Sequence, residues 1–255
     1  MTNSGFDLTG RAAIVTGGTR GIGRAVALGL AQAGADVVAT SRNLENVEAI
    51  TAEILRMGRK TFALCTDVAR KEQIERLVSE TMGRFGRIDI LVNSAGINPI
   101  FKRAELVTEE EWDEIVNVNL KGLFLCCQTV GRVMINQKSG KIINITSVNG
   151  LRGAARGAPY CSTKGAVVML TKCLALDWVQ FNIQVNAIGP GFIDTDLTKG
   201  IQNNKGLMDM VLQRIPQGRF GQADEVVGTA LLLASDLSTY ITGQTFFVDG
   251  GYTAM

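Results

Sequence analysis

A chain of 255 residues with 46% hydrophobic side chains can bury one large α/β core, and no break in composition marks a second domain. Its net charge of +2 is interspersed and no apolar run nears the ~20 residues of a bilayer span, so nothing argues for nucleic acid or membrane as a partner. There is no histidine, which excludes serine-histidine triads, imidazole bases and histidine metal sites. The cysteines at 65, 126, 127, 161 and 173 form no C-x-x-C pair, so no metal centre is expected and the thiols read as reduced packing groups. Met1 to Asp7 has neither a charged nor an apolar leader region, which leads us to expect a cytoplasmic protein.

The first element is an apolar strand at 11–16, followed by Gly17-Gly18-Thr19-Arg20-Gly21-Ile22-Gly23 and a helix over 24–33. Glycines between a strand and a helix let backbone N–H groups approach a pyrophosphate closely. The spacing is G-x-x-x-G-x-G rather than G-x-G-x-x-G, so a glycine turn without a ligand stays open at this point. A second strand at 36–41 ends without the acid that usually receives the 2′-hydroxyl of NAD. Thr40, Ser41 and Arg42, with Arg20, offer hydroxyls and guanidiniums for a 2′-phosphate, which favours NADP over NAD; the alternative is that Arg42 is only solvated. An amphipathic helix over 44–57 stops at Gly58, and a third strand is expected at 61–65, ending near Asp67, whose carboxylate could meet an adenine amine. After a helix over 71–85 comes a strand at 88–92 that runs into Asn93-Ser94-Ala95-Gly96. This alternation implies a parallel sheet wound on both faces.

A long helix is expected over 105–135, with Asn117-Val118-Asn119-Leu120-Lys121-Gly122 in its middle. Asparagine inside a helix marks a bend, a functional contact or a plain surface position. The strand 141–146 then ends at Ser147, and Pro159 opens a helix carrying Tyr160-Cys161-Ser162-Thr163-Lys164. Positions i and i+4 face the same way, so the Lys164 ammonium can approach the Tyr160 phenol and lower its pKa from near 10, making Tyr160 the acid/base. Ser147 can hydrogen-bond the same substrate oxygen, and Cys161 reads as a small apolar side chain or a reactive thiol. A strand at 183–188 leads into Gly189-Pro190-Gly191-Phe192-Ile193-Asp194-Thr195, and the irregular stretch to about 221 reads as a mobile flap. A helix at 223–234 and a strand at 244–248 complete the chain.

In identity, order and spacing these motifs resemble the short-chain dehydrogenases/reductases over nearly the whole sequence, with Ser94 in place of that family's second Asn in the Asn-Asn-Ala-Gly segment. The resemblance implies one doubly wound Rossmann-type domain over 1–255, with a seven-stranded parallel sheet and a substrate flap at about 190–221. It implies a catalytic set of Asn119, Ser147, Tyr160 and Lys164, with Asn119 holding a proton-carrying water and Lys164 also binding the nicotinamide ribose. It implies a cofactor set of Gly17, Thr19, Arg20, Gly21, Ile22 and Gly23 in the glycine turn, then Thr40, Ser41, Arg42, Asp67, Val68, Asn93, Ala95 and Gly96. Pro190, Gly191, Ile193 and Thr195 complete that set on the nicotinamide side. A homotetramer packed through helices near 105–135 and 160–180 is also implied.

The expected reaction interconverts a secondary alcohol and a ketone with NADP, NAD remaining possible. For the substrate, Ser147, Asn149, Arg152, Arg156 and Phe192 are the candidates: the arginines could meet a small anion, whereas Phe192 with Ile100 and Phe101 would suit an apolar ketone. Subfamilies that come closest are gluconate 5-dehydrogenases, acting on sugar acids or polyols, and 3-oxoacyl-carrier-protein reductases. Members of the second commonly present a basic residue where this chain has Leu176, which weakens carrier docking. General carbonyl reduction is a further enzymatic alternative. A redox-sensing dinucleotide binder is the non-enzymatic one, and it would need no phenol-lysine pair.

Overall fold

The computed structural model describes residues 6–255; of the leader reading over Met1–Asp7, residues 1–5 lie outside the described residues. Among the described residues six strands form one parallel sheet, β1 Ala12–Thr16, β2 Asp36–Thr40, β3 Ile90–Asn93, β4 Gly140–Ile145, β5 Ile183–Pro190 and β6 Thr245–Val248, in the order β2-β1-β3-β4-β5-β6. The helices are α1 Gly21–Gln32, α2 Leu44–Arg56, α3 Lys71–Phe85, α4 Glu109–Val116, α5 Leu123–Gln137, α6 Ala158–Trp178, α7 Lys199–Gln202, α8 Lys205–Leu212 and α9 Val227–Ala234. Alternate residues of β1 feed opposite faces. Ala13 and Val15 pack with α1 and α9, whereas Ile14 joins the layer built on α3, α5 and α6. Strand order reverses at β1, which opens a crevice at the carboxyl ends of β1 and β3.

The seventh strand, expected at 61–65, does not form. Its segment runs beside β2 and bonds at both ends, Val37 N–H donating to Lys60 O at 3.1 Å and Thr66 N–H to Ser41 O at 2.9 Å. Between them the Thr40 hydroxyl donates to Leu64 O at 2.5 Å, so a side chain takes a carbonyl that a ladder would use.

The helix expected over 105–135 is interrupted. A one-turn 3-10 segment at Ala104–Leu106 precedes α4, whose start is set by a capping box between Thr108 and Glu111. Between α4 and α5 lies a π-helical turn, Asn117–Gly122. Gly122 is required there, because a Cβ would lie 2.6 Å from Val68 O. The 190–221 segment, expected as a flap, is closed at its neck, where Asp194 N–H donates to Gly221 O at 2.8 Å and Gly221 N–H to Phe192 O at 2.9 Å.

Candidate active site

A cleft of about 320 Å³ opens at the crevice. Its floor is the glycine turn, where Gly17 has the left-handed φ of +64° that a side chain would resist, followed by Thr19, Arg20, Gly21, Ile22 and Gly23 at the start of α1. Along one wall lie Ser41, Arg42, Asp67, Val68, Ala95 and Gly96, and along the other Ser147, Tyr160, Lys164, Pro190, Gly191, Ile193 and Thr195. Residues spread over most of the chain therefore meet in one place.

The chemistry sits on α6. Pro159 opens this helix, and Tyr160 and Lys164 follow on successive turns, both buried. The Lys164 Nζ lies 5.6 Å from the Tyr160 ring centroid and donates to Ile145 O at 2.9 Å, which ties α6 to the end of β4. Ser147 Oγ accepts from Asn149 N–H at 3.1 Å, leaving its own hydrogen to donate. Burial pushes the Tyr160 phenol up to about 12, against the pull of Ser147, and pushes the Lys164 ammonium down to about 8. The expected lowering by Lys164 does not show in this geometry: burial sets the direction for Tyr160, and the ammonium lies over the ring rather than at the hydroxyl.

Asn119 is fully buried in the π-helical turn, and its amide brackets the Ile97 backbone, accepting from Ile97 N–H and donating to Ile97 O, both at 2.8 Å. A Cβ placed on Gly96 would lie 3.6 Å from both Asn119 Oδ1 and Lys164 Nζ, so the three meet at one point of the wall.

Several expected residues do not reach the cleft. Thr40 is buried with its hydroxyl spent on Leu64 O, and Asn93 points between strands, donating to Asn144 Oδ1 at 2.9 Å. Asn149 enters through its backbone, on Ser147. Phe192 packs edge-on against Phe220 and Tyr252 at 5.9 and 5.4 Å, the Arg156 guanidinium lies over Phe101 at 5.5 Å, and Arg152 donates to Tyr252 O at 2.8 Å. Among the thiols only Cys126 and Cys127 are fully buried. Cys161 and Cys65 are half-buried, and Cys173 is exposed, so the packing reading does not extend to Cys173. Sequence reasoning missed Thr66 and Asp196, both in the cleft wall; Ser94, noted for its place in the Asn-Ser-Ala-Gly segment, lines it too. Asp196, in the 190–221 segment, pairs with Arg20 at 3.8 Å, a long-range contact that no local pattern signals.

The residues present fit a dinucleotide. The Thr66 hydroxyl is buried without a partner beside Asp67, and the Lys164 ammonium gives one hydrogen to a carbonyl and keeps two for ligand hydroxyls. Among the described residues no cluster of acids and cysteines could hold a metal ion, and no helix is long and apolar enough to cross a membrane.

A family model described as enoyl-(acyl carrier protein) reductase matches residues 17–253. A 3-oxoacyl-[acyl-carrier-protein] reductase of Synechocystis sp. is 42% identical over 96% of this chain and 97% of that protein. An NAD-dependent glycerol dehydrogenase of Listeria innocua is 41% identical over 99% of both chains. Among solved structures, a gluconate 5-dehydrogenase from Burkholderia cenocepacia in complex with NADP and tartrate superposes with a TM-score of 0.94 at 41% identity, covering 98% of each chain. By its motifs, its fold and these relatives, the chain belongs to the short-chain dehydrogenase/reductase family of oxidoreductases.

Proposed function

We propose that this oxidoreductase interconverts a secondary alcohol and a ketone, prefers NADP to NAD, and acts on a small sugar acid or polyol. One observation carries the reading: a buried phenol and a buried ammonium, one helical turn apart, share a cleft with a serine whose hydroxyl hydrogen is left to donate. When bound, the nicotinamide cofactor supplies or takes up the hydride. In reduction Tyr160 gives its hydroxyl proton to the substrate oxygen, and a pKa pushed up to about 12 keeps that proton in place at neutral pH. Ser147 donates to the same oxygen and steadies it as negative charge builds. Lys164 holds a ribose and, in the oxidation direction, offsets the charge of the phenolate. Asn119, its amide committed to Ile97, positions the 96–97 segment against Lys164.

The cofactor would lie along the cleft, its pyrophosphate on the glycine turn and α1 N-terminus. Its adenine would lie by Asp67 and Val68, and its nicotinamide end by Pro190, Gly191, Ile193 and Thr195. The NADP preference rests on Ser41, Arg42 and Arg20, all in the cleft wall, with Thr19 donating to Ser41 Oγ at 3.0 Å to orient it. Exposed Trp112, Phe124, Met169 and Leu176 on α4, α5 and α6 support a homotetramer packed through these helices, which light scattering tests.

For the substrate, the resemblance to the Burkholderia cenocepacia gluconate 5-dehydrogenase supports a sugar acid, and that to the Listeria innocua glycerol dehydrogenase a polyol. A second reading, reduction of a carrier-bound 3-oxoacyl group, is favoured by the Synechocystis relative, but Leu176, 77% exposed, offers no charge to an acidic carrier. An absorbance panel at the nicotinamide band decides, with gluconate and polyols plus NADP or NAD, and simple ketones and acetoacetyl thioesters plus NADPH. Turnover of gluconate or a polyol is expected. Activity confined to the carrier-bound acetoacetyl group would overturn the substrate assignment.

A further inference from the structure

A second cavity, of about 350 Å³, is lined by Arg152, Gly153, Arg214, Tyr252 and Met255, none of which lines the catalytic cleft. Two short chain connections link it to the cleft. Arg152 ends the turn that begins at Ser147, its N–H donating to Val148 O at 2.9 Å, and the Tyr252 ring packs on Phe192, the residue between Gly191 and Ile193 of the cleft wall. The geometry points to an anion subsite here, in which Arg152 and Arg214 take the carboxylate or phosphate end of a substrate whose alcohol or ketone carbon faces Tyr160. This rests on the proposed dehydrogenase reading and adds to it the residues that select for charge.

Both arginines are exposed, and what supports this role is how Arg152 is held and the turn that brings Arg214 near it. Arg152 is held from two sides, by its Nη1 hydrogen bond to Tyr252 O at 2.8 Å and by stacking 5.3 Å over the Tyr252 ring. Tyr252 is itself fixed, because Asp249 accepts from Gly251 N–H at 3.0 Å, Thr253 N–H at 2.8 Å and the Thr253 hydroxyl at 2.6 Å. The segment bearing Arg214 is tied to the same turn, since Gln217 N–H donates to Gly250 O at 3.1 Å. Among the described residues neither Arg152 nor Arg214 has an ion-pair partner, as is true of several other arginines such as Arg42 and Arg156, so both charges are free to meet an anion. Each guanidinium has a planar set of donors suited to carboxylate or phosphate oxygens. Arg152 spends one hydrogen on the protein and keeps the others.

The test is calorimetric titration of gluconate, its neutral counterpart sorbitol, and sorbitol 6-phosphate into the full chain loaded with NADPH, with which an alcohol cannot react. Gluconate is expected to bind at least about tenfold tighter than sorbitol. Arg152→Leu and Arg214→Leu should each weaken it about tenfold and leave sorbitol unchanged, a loss typical of one charge-assisted contact. Arg152→Lys, which keeps the charge and spares the C-terminal turn, should recover part of the loss, and Arg76→Leu on α3 should bind like wild type. Tighter, arginine-dependent binding of sorbitol 6-phosphate than of gluconate would assign the subsite to phosphate. Equal binding of gluconate and sorbitol, or wild-type gluconate binding in both leucine variants, would overturn the subsite. Arginine-dependent gluconate binding without turnover by NADP or NAD would uphold the subsite and defeat the dehydrogenase reading instead.

Discussion

The two ends of the sheet each bury a lysine and treat it differently. At the amino-terminal edge, Lys141 donates to Ser238 Oγ at 3.1 Å and feels the charge of Asp236, which pulls against the burial that brings its pKa down to about 8. Next to it the buried Asp89 accepts from Arg87 Nε and Nη2 at 2.7 and 2.6 Å and from Ala12 N–H at 2.9 Å. At the carboxyl-terminal edge, Lys164 is also pushed down to about 8, yet burial alone shifts it, and one backbone carbonyl is its hydrogen-bond partner. The comparison teaches where the chain answers its own charges and where it does not. The first end is a closed structural cluster, and the second keeps donors and an acid uncompensated at the place where a reaction needs them.

Breaking the open end should have the largest effect. Lys164→Met is expected to lower turnover by about a hundredfold or more, read as kcat with saturating cofactor and substrate. The same variant should be more stable by about 1 to 3 kcal/mol in urea unfolding at neutral pH, because a buried ammonium with its pKa pushed down to about 8 disfavours the fold while charged. The sign follows from linkage: unfolding restores the ordinary value of 10.5, so the gain is full below about pH 8 and fades as pH rises toward 10.5. A loss of stability at neutral pH would show that Lys164 is compensated after all.

Breaking the closed end should act on stability alone. Asp89→Ala removes the acceptor for Arg87 and leaves Ala12 N–H unpaired, and should cost about 2 to 3 kcal/mol in urea unfolding with kcat unchanged. A smaller and sharper test lies on the cofactor wall. Arg42→Ala should weaken NADPH about tenfold and leave NADH unchanged in fluorescence titration, since one charge-assisted phosphate contact is lost. Equal affinities before and after would return Arg42 to the solvated reading.

What the sequence made legible follows the range of the interactions involved. The glycine turn, the strand ends around it and the i, i+4 placement of Tyr160 and Lys164 are local, and the structure puts them together in the cleft. Asn119 was flagged because asparagine inside a helix is unusual, and it sits in a π-helical turn whose place depends on Gly122 meeting Val68. The missing strand at 61–65 depends on the Thr40 hydroxyl taking Leu64 O across the sheet edge, which no propensity reports. Likewise Arg152 was picked out for its charge, but its place beside Arg214 comes from the C-terminal turn, distant in sequence. The direction of the Tyr160 shift also escaped, because helical spacing shows proximity to a cation and not the depth of burial, which sets that direction.

The central claim is that Tyr160 is the proton donor of a nicotinamide-dependent carbonyl reduction, and Tyr160→Phe tests it most directly because the ring and its packing remain while the hydroxyl is lost. Steady-state kcat for NADPH-dependent reduction of the substrate found in the panel, with the NADPH dissociation constant measured on the same samples, gives the answer. The account predicts a fall in kcat of about a thousandfold with NADPH affinity within about twofold of wild type. A variant that reduces substrate at near wild-type kcat would contradict it.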